Sequence, residues 1–276
     1  MTTTAVRRSR LALLLALAFA HAGASLIAAR AADDPWPELA RDAFPGRTLQ
    51  DGTGLIALDA PYRAEDAAIV PLTVRTTLPP GDARRVETIT IIIDKNPAPV
   101  AATFRLGAAS SVSSIETRVR IDMYTNVRAI AALSDGTHYM VTAFVKASGG
   151  CSAPALKTAD EAKASAGQMR LRQFARNDGP VSKPREAQLM VRHPNYSGLQ
   201  MDQLTRFYIP VYFVRELRIW QGEDLVLAME GGISISEDPS IRFNYLPNGA
   251  KSFRAEVVDT DDKIFRAEWP VEATAM

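Results

Sequence analysis

The sequence predicts an all-β protein: two β-sandwiches joined by a linker that contains a short helix. Three observations carry this. Apolar residues alternate with polar or small ones over residues 69–145 and again from residue 186, the period of a strand with one buried and one wet face. Turn signals recur at intervals of roughly 8–12 residues, as in sandwiches. The chain lacks the strand–helix alternation that a parallel sheet needs. At 276 residues, 47% hydrophobic and 23% charged, it has the length for one or two domains and apolar material for two small cores.

Residues 1–31 read as a signal peptide. Arg7, Arg8 and Arg10 form a basic start, Leu11 to Ala20 an apolar stretch, and Ala29-Arg30-Ala31 a small-residue cleavage site. The apolar run breaks at His21 and Gly23, so it is short for a membrane anchor. The expectation is export to the periplasm, by the general route or, from the Arg7-Arg8 pair, by the twin-arginine route. Cleavage removes four of 32 basic residues and none of 31 acidic ones, so the formal charge falls from +1 to −3. A mildly acidic chain without a basic stripe argues against nucleic acid as a partner. No later run is long and apolar enough for a membrane-spanning helix.

The first sandwich is expected within residues 32–151. Val70, Leu72 and Val74 alternate with other residues, as do Ile89, Ile91 and Ile93, and then Ile115, Thr117, Val119, Ile121 and Met123. Asp135-Gly136 reads as a hairpin turn, and the strand after it, Tyr139 to Lys146, delivers the chain to Gly149-Gly150-Cys151. Residues 152–184 read as the linker. Thr158 and Glu161 have capping-box spacing, which predicts a helix to about Arg176, stopped by Asn177, Gly179 and Pro180.

The second sandwich is expected within residues 185–276. Gln188 to Arg192, Tyr208 to Trp220 and Leu225 to Glu230 read as strands, the last two flanking a turn at Gln221-Gly222. Phe253 to Val258 and Ile264 to Val271 flank the polar turn Asp259 to Lys263.

Few residues offer chemistry. The histidines are His21, His138 and His193, and with one cysteine they make no zinc or copper spacing. A cysteine hydrolase needs a base beside the thiol. His138 lies a strand's length away, which leaves His193, in a stretch, "RHPNYSGL", that reads as a turn. There is no nucleophile elbow and no glycine-rich phosphate loop. No cofactor is implied.

Cys151 remains. One cysteine cannot pair within its own chain, and an odd thiol in an exported protein is either intermolecular or reactive. Its neighbours Ser148, Gly149, Gly150, Ser152 and Pro154 offer no apolar wall, so an exposed thiol is expected. Gly149 and Gly150 would let it swivel on a flexible arm. Lys146 and Lys157 are candidates for raising its thiolate fraction.

Residues 60–151 resemble SoxY, the carrier half of the SoxYZ sulfur-oxidation complex, through "APYRAEDAAIVPLTV", "IIIDKNPAPVAATFRL" and "TRVRIDMYTNVRAIAALSDGTHYMVTAFVKASGGC". Residues 186–271 resemble SoxZ through "RHPNYSGLQMD", "FYIPVYFVRELRIWQGEDLVL" and "ISISEDPSIRFNY". The fused arrangement is similar to SoxYZ-like carriers associated with quinoprotein dehydrogenases. The resemblance implies immunoglobulin-like sandwiches that pair, and a non-enzymatic role. Cys151, at the family's GGC motif, would hold a sulfur or other thiol-reactive group for separate enzymes. Implied partners are periplasmic redox or sulfur-oxidising enzymes, including a quinoprotein dehydrogenase and cytochromes. The alternative is an accessory or assembly module for such a dehydrogenase, with the cysteine incidental. In SoxY the motif ends the chain as "GGCGG"; here it is "GGCSA" and the chain continues. An arm tethered at both ends has a short stroke: four residues reach only about 14 Å extended.

Overall fold

The computed structural model describes residues 34–155, 159–174 and 184–272. The signal-peptide reading of residues 1–31 falls outside them. Two compact units divide the chain, one ending at Pro45 and one beginning at Gly46. In the first, helix α1 (Trp36–Ala43) starts after Pro35, with Glu38 in its first turn and Arg41 in its last, charges that suit the helix dipole.

The second unit is all-β, two immunoglobulin-like sandwiches fused along their sheet edges. From its first half come β1 (Leu49–Asp51), β2 (Ile56–Asp59), β3 (Val70–Thr76), β4 (Val86–Ile93), β5 (Val100–Leu106), β6 (Ser114–Val119), β7 (Thr125–Leu133) and β8 (His138–Val145). From its second come β9 (Met169–Phe174), β10 (Arg185–Val191), β11 (Val214–Gln221), β12 (Asp224–Gly231), β13 (Ser240–Tyr245), β14 (Ser252–Asp259) and β15 (Ile264–Pro270). One nine-stranded sheet runs β1-β8-β7-β4-β5-β12-β11-β14-β15, and one six-stranded sheet runs β2-β3-β6-β13-β10-β9. Two strand pairs join the halves. Strand β5 pairs antiparallel with β12 from Leu106↔Leu227 to Ala102↔Gly231, and β6 pairs with β13 at Glu116↔Arg242 and Ile115↔Phe243. Both joints lie within one chain.

The alternation read from the sequence is the alternation of burial. Val70, Leu72 and Val74 face inward from β3, as do Ile89, Ile91 and Ile93 from β4 and Leu217 and Ile219 from β11. Their buried side chains, about 1.5–3 kcal/mol each, belong to one core shared by both halves. The expected hairpins close at Gly136 and Gly222, whose φ values are +81° and +61°, the left-handed region that glycine enters without a Cβ penalty.

The linker corrects one expectation. Helix α2 spans only Ala159–Ser165, where a helix to about Arg176 is expected; Thr158 and Arg176 lie outside the described residues. Gly167, at φ +81°, ends the helical path. Met169 to Phe174 then form β9, paired with β10 from Val191↔Met169 to Glu186↔Phe174. Pairing at the sheet edge overrides local helix propensity here. Residues 208–213 also fall short of their expected strand, since β11 begins at Val214. They belong to an irregular excursion, tied across itself by bridges Met201↔Tyr208 and Tyr196↔Tyr212.

Candidate functional site

Cys151 lies where the two halves meet. After β8, Lys146 is held by its N–H to the Tyr62 carbonyl at 2.8 Å. A few residues further, Gly149 (φ +78°) turns the chain. Gly149 N–H donates to the Asp122 carbonyl at 2.8 Å, and Gly150 N–H to the Ile121 carbonyl at 3.0 Å. Gly150 is required for a second reason. A Cβ there would sit 2.0 Å from the Ala67 carbonyl oxygen and 2.7 Å from that of Ile121.

The second half covers this segment. Ser197 Oγ donates to the Cys151 carbonyl, and Gln200 Nε2 donates to the Ala153 carbonyl at 2.9 Å. Gln200 Oε1 in turn accepts the Ser197 N–H at 3.1 Å. Ser197 and Gln200 are both buried.

These contacts overturn the expected exposure. Cys151 is 0% exposed, and its backbone is pinned rather than swivelling. The small neighbours supply no cover of their own; Ser197 and Gln200, far away in the sequence, bond the segment's backbone. The glycines reflect a turn at Gly149 and a tight backbone approach at Gly150, not a free arm. Burial, helped by the negative charge of Asp122 and opposed by Arg120, pushes the thiol pKa up to about 12. In this closed state the sulfur is a neutral thiol and a poor nucleophile.

Arg120 is the cation beside it, and the sequence reading did not single it out. It follows directly on β6 and is 1% exposed. Its backbone N–H donates to the Ser234 carbonyl at 2.7 Å, and its carbonyl accepts from Asn96 Nδ2 at 2.7 Å. Asn96 also reaches Ser234 Oγ and accepts the Asp122 N–H, so one buried amide joins the halves and fixes both residues that act on the thiol. The guanidinium spans the seam: Nη1 donates to the Gly150 carbonyl at 3.3 Å and Nη2 to the Asn195 carbonyl at 3.4 Å. Its Nε has no hydrogen-bond partner among the described residues.

Lys146 places its ammonium over the Tyr62 ring at 4.7 Å, and Lys157 lies outside the described residues. His193 is fully buried. Its Nδ1 meets Asn195 Oδ1 at 2.8 Å, its Nε2 faces Asp259 Oδ2 at 3.7 Å, and its ring packs on Tyr212 at 4.4 Å. Burial lowers its pKa. Cys151 is not among its hydrogen-bond partners, and these contacts make His193 a support for the 193–214 segment. His138 bonds the Gly136 carbonyl at the far end of β8. Among the described residues no cluster of His, Cys, Asp and Glu could hold a metal, and no helix is long and apolar enough to cross a membrane.

Comparison with known proteins yields two family matches. Residues 40–151 match the family described as sulfur oxidation protein SoxY. Residues 175–270 match the family described as sulphur oxidation protein SoxZ. The first match ends on Cys151. No curated protein sequence matches the chain. Among solved structures, the sulfur carrier protein SoxY from Chlorobium limicola f thiosulfatophilum is similar at 23% identity and TM-score 0.33, covering 41% of this chain and 94% of its own. A superoxide reductase (neelaredoxin) variant from Ignicoccus hospitalis is similar at 10% identity and TM-score 0.30, covering 33% of this chain and 78% of its own.

Proposed function

Because the chain carries a SoxY family domain and a SoxZ family domain in one polypeptide, we propose that it is a sulfur carrier that holds its cargo covalently on Cys151. The observation that carries this reading is the position of the one cysteine. It is the last residue of the SoxY match, and Ser197 of the SoxZ half donates its hydroxyl to its carbonyl. The chain works in the periplasm and performs no catalysis itself; periplasmic redox or sulfur-oxidising enzymes load and unload it. Burial adds a step that a free arm would not need. The bonds from Ser197 and Gln200 must part before the sulfur can meet a partner, so the thiol is carried closed and presented open. Mass spectrometry of protein isolated from the periplasm, before and after reductant, tests this. A reductant-sensitive adduct on Cys151 is expected; a bare thiol in every preparation overturns the reading.

The burial of Cys151 favours a second reading, an accessory module for a quinoprotein dehydrogenase in which the thiol carries nothing. Cys151→Ser separates the two. It abolishes a carrier's function and leaves an accessory module's intact.

A further inference from the structure

We propose that a hollow on the outer face of the six-stranded sheet, lined by Arg118, Arg170, Arg192, Met169 and Met190, binds a small organic anion: a carboxylate or sulfonate carried on an apolar body. The proposal makes no use of Cys151, so it stands under either reading of that thiol. The hollow forms where β6, the start of β9, the end of β10 and the loop ahead of β13 converge, and it holds about 380 Å³, at the small end of ligand pockets. Strand alternation puts its groups there. Val119, Leu171 and Val191 are buried, so their neighbours Arg118, Arg170 and Met190 stand on the opposite, outer face. Met190 lies directly across from Arg170 in the pairing of β10 with β9, where opposed side chains interact.

Two acids, Glu237 and Asp238, also line the hollow. The Asp238 carboxylate is already engaged: it accepts Arg192 Nη1 at 2.6 Å and the His193 N–H at 3.0 Å. Glu237 is buried, and its charge acts on Arg120 at the seam. Arg118 gives Nη2 to the Asp238 carbonyl at 2.7 Å, and its enclosed Nε makes no hydrogen bond among the described residues. The Arg170 side chain has neither a hydrogen bond nor an ion pair among them. An anion supplies acceptors to these donors, and charge-assisted bonds are the stronger ones. The methionines add polarizable surface that adapts to irregular apolar shapes, and guanidinium planes stack on aromatic rings. A bare inorganic anion leaves the thioethers unused, and a neutral molecule leaves the guanidinium groups unanswered. An anion on an apolar body uses both.

The test uses benzoate, benzyl alcohol, which keeps the ring without the charge, and acetate, which keeps the charge without the ring. Each is titrated into the full chain labelled with carbon-13 at its methionine methyl groups, and the Met169 and Met190 signals are assigned through Met169→Leu and Met190→Leu. Benzoate is expected to move both signals saturably, and the other two to bind about tenfold more weakly or worse. Arg170→Met should weaken benzoate about tenfold, the scale of one charged hydrogen bond, and Arg170→Lys should recover part of the loss. Arg170 is exposed and its side chain bonds nothing else among the described residues, so both variants keep the fold. Arg105→Met, which removes an exposed arginine from β5, should bind benzoate as the wild type does. Benzoate that moves neither methyl overturns the proposal. So does benzoate binding no tighter than benzyl alcohol or acetate, and so does Arg170→Met binding it no more weakly than Arg105→Met.

Discussion

Gly136 and Gly150 stand at opposite ends of the same strand, β8, and are needed for different reasons. At Gly136 the backbone sits at φ +81° and nothing lies within 4 Å of where a Cβ would be. The demand is local: a three-residue turn, Ser134 to Gly136, between paired strands. At Gly150 no positive φ is involved, and a Cβ would lie 2.0 Å from a backbone oxygen of residue 67. The demand is tertiary. Two glycines that look alike in sequence, each near a strand end among small or polar residues, mark an exposed turn in one case and a sealed seam in the other.

The largest expected effect follows from that difference. Gly150→Ala drives a methyl group into backbone that cannot rotate away, so the loss should exceed about 3 kcal/mol or prevent folding. Gly136→Ala has only the left-handed backbone to bear and should lose about 1–2 kcal/mol. Urea unfolding followed by tryptophan fluorescence compares them. Equal losses would restore the free arm that the sequence suggests.

The same contrast explains what the sequence made legible. Strands β3, β6, β10 and β11 are readable because each buries one face, and period two survives in the order of residues. The Gly136 turn is readable because its cause lies within four residues. The surroundings of Cys151 are not. Its cover comes from Ser197 and Gln200, 46 and 49 positions away in a segment without periodicity, and its cation from Arg120, which continues a strand's alternation as an ordinary polar position would. Strand β9 was hidden for a related reason: "MRLRQF" is short and charged, and only an adjacent β10 makes it a strand.

Burial of the thiol has a consequence in pH. A thiol whose folded pKa is raised from 9 to about 12 binds its proton more tightly in the folded chain. The stabilisation is fully present below pH 9 and is lost as pH rises from about 9 to about 12. The wild type should therefore lose up to about 1.4 kcal/mol per pH unit across that window relative to Cys151→Ala. The comparison cancels the buried tyrosines Tyr196 and Tyr245, whose pKa values burial also raises. Parallel stability curves for the two proteins would mean that the sulfur is already wet.

Ser197→Ala addresses the cover itself. It removes the hydroxyl that donates to the Cys151 carbonyl and should lower stability by about 1 kcal/mol. If that bond is broken in the open state, the rate of Cys151 alkylation by iodoacetamide should rise about fivefold, the same energy expressed as a population. A stability loss without faster alkylation would mean that Cys151 becomes reachable by another route.

Gly149 gives the smallest effect and the sharpest control, because it sits one residue from Gly150 yet resembles Gly136. Its φ is +78°, and a Cβ there would meet nothing within 4 Å, so only backbone conformation is at stake. Gly149→Ala should lose about 1 kcal/mol. Asparagine enters the left-handed region more readily than other residues with a side chain, so Gly149→Asn should lose less than Gly149→Ala. Neither should change the bond from residue 149 N–H to the Asp122 carbonyl, and Cys151 should stay as slow to alkylate as in the wild type. Faster alkylation in Gly149→Asn would show that the turn, and not the cover from Ser197 and Gln200, keeps the sulfur closed.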